Sequence, residues 1–179
     1  MRKREKWEIQ REIKNKEMVI RDIEKLNNPL TFFDVNVSTS LEVLEDDFWG
    51  APTYPSHLVT TIHKIRTLPL NQLNAGHLRM IIGQKMSLPY MVPLALEKLK
   101  EDPLLAGDFY DGDLLQNLFE VPVEFYNWDR ASADSLLSLA NKAKTILNLK
   151  AKEYHFGLDK ADTMLVKLIE GFTQKHSQR

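Results

Sequence analysis

Two clusters of carboxylates and five scattered histidines are the residues of this chain whose types could do chemistry. His57 and His63 lie closest together among the histidines. Six residues apart on a helix, they point in roughly opposite directions, whereas a helical metal site needs an i, i+4 pair. His77, His155 and His176 are spread along the rest of the chain. There is no cysteine, which excludes thiolate ligation and a disulfide framework. Neither a metal nor a cofactor is expected. Phosphate-cradling glycine loops and the Gly-x-Ser-x-Gly nucleophile turn are absent from the sequence. Glu45, Asp46 and Asp47 form one acidic cluster; Asp108, Asp111 and Asp113 form the other. Paired carboxylates can act as acid and base across a cleft when their pKa values are pushed apart. Capping and solvation of helix ends explain the same acids more cheaply. No catalytic residue is assigned, and the chain reads as a non-enzyme.

Aromatic residues beside these acids point to another use. The segment GDFYDGD places Phe109 and Tyr110 among three aspartates, and Trp49 and Tyr54 follow the first cluster. Rings offer area for burial and carboxylates offer partners for Arg and Lys, the combination that recognises a basic protein surface. A structural account of the same residues stands beside this one. In it Phe109 tucks under the helices, Asp111 or Asp113 caps the next helix, and Trp49 belongs to the core or covers it. Tyr54 and Tyr110 stay more open, because a tyrosine can keep its hydroxyl wet.

The elements that must position these loops are helical. Ile9, Ile13, Ile20 and Ile23 recur at helical spacing over residues 3–26, before Asn27, Asn28 and Pro29 stop the pattern. Their stripe favours packing on the body. Residues 31–38 lack a partner strand and are expected to be extended coil. Thr39 and Glu42 fit a capping box ahead of a short helix over 40–47. Pro55 and Ser56 open the next helix, and Asn74 caps the one after it, with Gly83 near its end. Leu88 and Pro89 begin a helix that runs to Pro103, with Pro93 a turn inside. Asp113 starts another that Pro122 breaks. Ser132 or Asp134 starts a longer helix, and the last spans about 159–175, with Asp159 and Asp162 near its positive end. The fold class is therefore all-α: a single-domain bundle of about seven helices with short loops and little or no strand. Residues 1–30 read as a charged helical extension and 31–179 as one α-helical domain.

Charge is unevenly distributed along the chain. Residues 1–30 hold nine basic and six acidic side chains, 31–126 hold six and thirteen, and 127–179 hold nine and six. An acidic middle repels nucleic acid and attracts basic partners. Residues 74–100 could be drawn as a helix-turn-helix, but their surroundings disfavour phosphate contacts. The amino-terminal MRKREKWEIQREIKNKEM lacks the apolar core of a secretory signal, and no apolar run reaches the ~18 residues of a membrane span. A cytoplasmic protein with no nucleic-acid and no membrane partner is expected.

Four phrases in the middle of the chain carry a resemblance: DFWGAP followed by SHLVTTIHKIRTLPL, then LRMIIGQKMSLPYMVPLALE, then EDPLLAGDFYDGDLL. In this order and spacing, across residues 41–126, the sequence resembles immunity proteins of bacterial contact-dependent growth inhibition (CDI) systems. The resemblance implies a stoichiometric inhibitor of a cognate toxin, the carboxy-terminal domain of a large adhesin or effector, and many such toxins are nucleases. The residues assigned to the toxin-facing surface are Glu45, Asp46, Asp47, Trp49, Tyr54, Asp108, Tyr110, Asp111 and Asp113. The competing class is an all-helical adaptor or regulatory module with no toxin partner; a hydrolase using the aspartates is a third.

Overall fold

Nine α-helices account for most of the residues described by the structure, a computed structural model that covers residues 3–54, 56–153 and 157–176. Pro55 and His155 lie outside the described residues. The helices are α1 (Lys3–Glu24), α2 (Leu41–Glu45), α3 (His57–Thr67), α4 (Ala75–Gly83), α5 (Leu88–Glu101), α6 (Asp113–Phe119), α7 (Val123–Trp128), α8 (Arg130–Glu153) and α9 (Lys160–His176). No strand occurs among the described residues; a lone antiparallel bridge joins Ser40 to Pro69.

Helix α5 is the centre of the molecule. Leu88, Met91, Val92, Ala95, Leu96 and Leu99 recur at i, i+3, i+4 spacing, and all are buried. Pro89 sits in the first turn, where its missing N–H has no intrahelical acceptor to lose; Pro93 lies inside the helix and is buried. Around α5 pack α1, α4, α6 and α8. Helix α9 lies along α8 and also meets α6, while α7 bridges α1 and α8. One apolar cluster runs continuously from Val19 to Phe172, so the chain shares a single core.

Several caps follow the sequence. Ser56 Oγ accepts from Val59 N at 3.2 Å, Asn74 Oδ1 from His77 N at 2.8 Å, and Asp159 Oδ1 from Asp162 N at 2.8 Å. Others differ. Thr39 and Glu42 form no capping box: Ser40 occupies the cap position, and Glu42 Oε1 accepts from Trp49 N at 3.1 Å instead. Residues 32–34, expected to be extended, make a 3₁₀ turn tied by Thr31 to Asp34. The break at Pro122 is followed at once by α7, which the sequence pattern did not reveal because it has only six residues. Helix α8 begins earlier than Ser132, because buried Asp129 accepts from Ser132 N at 2.9 Å.

Helix α1 docks through its carboxy-terminal half. Val19 is buried and Ile23 packs on the core, while every side chain from residue 4 to 14 is exposed, including Trp7, Ile9 and Ile13.

Candidate functional site

Each acidic loop is built around an arginine that the loop encloses. The first is Arg66, in the last turn of α3, which is 1% exposed. Its Nη1 donates to Glu45 Oε2 at 2.5 Å, and its Nη2 to the backbone oxygen of Asp47 at 2.7 Å. The guanidinium lies 4.2 Å from the Trp49 ring centroid. Trp49 is held in turn: its indole N–H donates to Asp47 Oδ2 at 3.0 Å, and the His63 ring meets it edge-on at 5.0 Å. His63 Nδ1 closes the loop by donating to the carbonyl of Gly50 at 3.0 Å. A buried charge costs several kcal/mol unless it is paired and hydrogen-bonded, so three of the assigned residues, Glu45, Asp47 and Trp49, serve first to satisfy Arg66.

The second loop repeats the arrangement on α4. Arg79 donates through Nη2 and Nε to Asp108 Oδ2, at 2.9 and 3.2 Å, and lies 3.6 Å from Asp113 Oδ2. Its guanidinium sits 4.3 Å from the Phe109 ring centroid. Asp113 is buried and caps the loop rather than α6: its carboxylate accepts from the backbone N–H groups of Gly107, Asp108 and Phe109. The cap position of α6 falls to Gly112, whose φ of +84° suits glycine. Gly76, at the start of α4, leaves the space that the Asp108 carboxylate occupies; a Cβ there would collide with it. Phe109 does not tuck under the helices, as the structural account had it. It is 72% exposed, with one face on Arg79 and the other open. Tyr110 keeps its hydroxyl accessible and donates to Gln116 Oε1 at 2.9 Å.

Of the nine assigned residues, Asp46, Tyr54, Tyr110 and Asp111 are the exposed ones that neither clasp uses. Exposed Phe48 joins them beside Asp46. No hydrogen bond or ion pair among the described residues connects one loop to the other. Asp108 rests at the start of α4, whereas Glu45, Asp47 and Arg66 share a small cleft with Met86 and Ser87, just past its end. A nine-residue helix, roughly 13 Å long, separates them. Asp22 of α1 lines the same cleft, and its carboxyl is held above the usual range by burial and by the nearby Glu45.

Sequence reasoning missed both arginines. Arg66 carried a signal: it falls four residues after Ile62, on the stripe that buries Ile62 and Ile65. A charge inside an apolar stripe calls for partners from elsewhere. Arg79 stands between buried Leu78 and half-buried Met80, with nothing in its spacing to name Asp108. Among the described residues no group of three or more His, Asp or Glu could hold a metal ion. No described helix is long and apolar enough to cross a membrane.

Residues 43–136 match the family of CDI immunity proteins, just over half of the chain. The chain belongs to that family. Neither a curated protein nor a solved structure matches it. The span shared with the CDI immunity proteins contains both arginine clasps entire, from Glu45 through Arg66 and Arg79 to Asp113. Outside it lie α1, most of α8 and all of α9 of this immunity chain.

Proposed function

We propose that this chain binds the toxin domain of its own CDI system and neutralises it one-to-one, in the cytoplasm, by covering the surface with which the toxin engages its substrate. Membership of the CDI immunity family carries this reading. The toxin domain is the carboxy-terminal part of a large adhesin or effector, and its chemistry is that of a nuclease, whose basic surface fits the acid excess of residues 31–126. The clasped loops are the toxin-facing elements. Within them Asp46, Asp111, Tyr54, Phe109 and Tyr110 are open to a partner, while Glu45, Asp47, Trp49, Asp108 and Asp113 hold the backbone in place. Fixing a loop before association removes an ordering cost that a mobile loop would incur.

Co-expression tests the reading. The chain is produced in a bacterium together with the toxin domain encoded immediately upstream, and survival and co-purification are scored. Survival with a stable one-to-one complex is the expected outcome. Death of the cells with no complex would sink it and leave an all-helical adaptor as the better account.

A further inference from the structure

Helix α9 carries a glycine, Gly171, in its interior, next to buried Phe172. Glycine destabilises a helix interior by roughly 1 kcal/mol relative to alanine, and a neighbour pressed against it is one common reason for its presence. No neighbour does so here: a Cβ at Gly171 would meet no atom within 4 Å. The missing side chain instead deepens a cleft of about 270 Å³ between α9, α7 and the end of α6. Leu168, Gly171, Phe172 and Lys175 recur at i, i+3, i+4 and i+7, so one stripe of α9 forms one wall. Phe119, Val121 and Tyr126 form the other.

The charges at this cleft are of one sign. Lys167 and Lys175 line it beside the His176 ring, and no carboxylate does among the described residues. The imidazole of His176 stacks on Phe172 at 4.0 Å between centroids, and its Nδ1 donates to the Phe172 carbonyl at 2.9 Å. The remaining ring nitrogen, Nε2, is buried and has no partner among the described residues. Nδ1 carries the ring proton, so Nε2 accepts, and a backbone N–H of a bound peptide is the kind of group that would satisfy it.

We propose that this cleft is a second binding site, which takes a large apolar side chain and an adjacent carboxylate from an acidic–apolar segment of a protein partner. The apolar wall receives the side chain, and Lys167 and Lys175 receive the carboxylate. A cleft of this size accommodates one anchoring side chain. Val123, 43% exposed and part of the cleft lining, extends the apolar surface outward, as a continuing peptide would require. This chemistry is opposite in sign to that of the acidic loops, and it stands or falls without any toxin.

Selection of a random heptapeptide phage library on the whole protein tests it, with Gly171→Leu as the filled-cleft control. Thermal unfolding first establishes that the variant is folded. Gly171→Ala and the double variant Lys167→Glu/Lys175→Glu provide independent checks should leucine disturb α9. The wild type is expected to enrich peptides with Phe, Trp, Leu or Met beside Asp or Glu. Titration of the synthetic winners should show at least tenfold weaker binding to Gly171→Leu and to the double lysine variant, and near-wild-type binding to Gly171→Ala. Decanoate is titrated in parallel. No enrichment, enrichment indifferent to Gly171, or winners without an acid would overturn the proposal. So would Gly171-dependent binding of decanoate alone, which would make the cleft a site for small carboxylates.

Discussion

Arg66 is the residue on which most depends. Its guanidinium is enclosed by Glu45, the backbone of Asp47 and the Trp49 ring, so removing it strands a carboxylate whose side chain is only 13% exposed and leaves a void under the indole. Breaking one partner out of a buried pair typically costs about 3–5 kcal/mol. Arg66→Ala should lose stability near the lower end of that range, because Asp47 can turn its carboxylate to water. Urea unfolding with an unchanged slope is the check. Arg66→Lys should recover only part of the loss, since one ammonium cannot reach both acceptors in the planar fork geometry or stack on Trp49. Asp22 makes a prediction of opposite sign. Burial and Glu45 raise its folded-state pKa above the unfolded value near 3.9, so the native chain holds the proton more tightly. Its contribution is therefore favourable in acid and is lost as pH rises through the folded pKa. Asp22→Asn should raise the melting temperature at pH 7, and the gain should disappear below the ordinary carboxylate range. A gain that stayed constant from pH 3 to pH 8 would show that the charge of Asp22 is not the cause.

At the scale of elements, the long helices were legible because their apolar periodicity extends over several turns: α1, α3, α5, α8 and α9 all lie where the spacing puts them. Caps at Ser56 and Asn74 were equally plain, since a short polar side chain before an apolar stripe has one cheap use, whereas Asp159, read only as a charge at the positive end of α9, also caps it. What could not be read were features decided by tertiary partners. Six residues give α7 too little periodicity to distinguish it from a turn. Asp113 looked like a helix cap and is a loop cap, because Arg79, thirty-four positions earlier, neutralises it from behind. The nine acidic-loop residues are assigned as a set from the sequence, but their division into clasping and exposed members needed the two arginines. Helix α1 illustrates how periodicity overstates packing. Its isoleucine stripe favours packing on the body, yet only the half around Val19 and Ile23 is packed. Removing residues 1–14 should therefore leave the melting temperature within ~2 °C of the full chain, whereas Val19→Ala should cost about 2 kcal/mol through lost burial and the resulting cavity. In α9, Gly171→Ala should stabilise by roughly 0.5–1 kcal/mol, because the added methyl meets open space and the helix gains propensity. A calorimetric scan of the three variants tests all of these; destabilisation by Gly171→Ala would mean that the helix needs the glycine for a backbone reason.

For the whole molecule, the near-neutral net charge of −1 conceals a partition that should govern encounter with a basic toxin domain. The acid excess resides in residues 31–126 and is presented partly on loops that their arginines hold rigid, so the approaching surface meets a fixed field and not a fluctuating one. Exposed charges act mainly on the rate of association, and their effect is screened over about 8 Å at physiological ionic strength. Asp46 and Asp111 are the fair test, because neither is spent on a clasp and asparagine tolerates the left-handed backbone of Asp46, where φ is 49°. The variant Asp46→Asn/Asp111→Asn should fold as the parent does and bind toxin with an association rate several-fold slower at low salt. The two rates should converge as salt rises to 0.5 M, while the dissociation rate changes less. Stopped-flow mixing with the purified toxin domain across a salt series measures this directly. Equal rates at every salt concentration would place the toxin on another face, and the exposed isoleucines of α1 would then be the next surface to mutate.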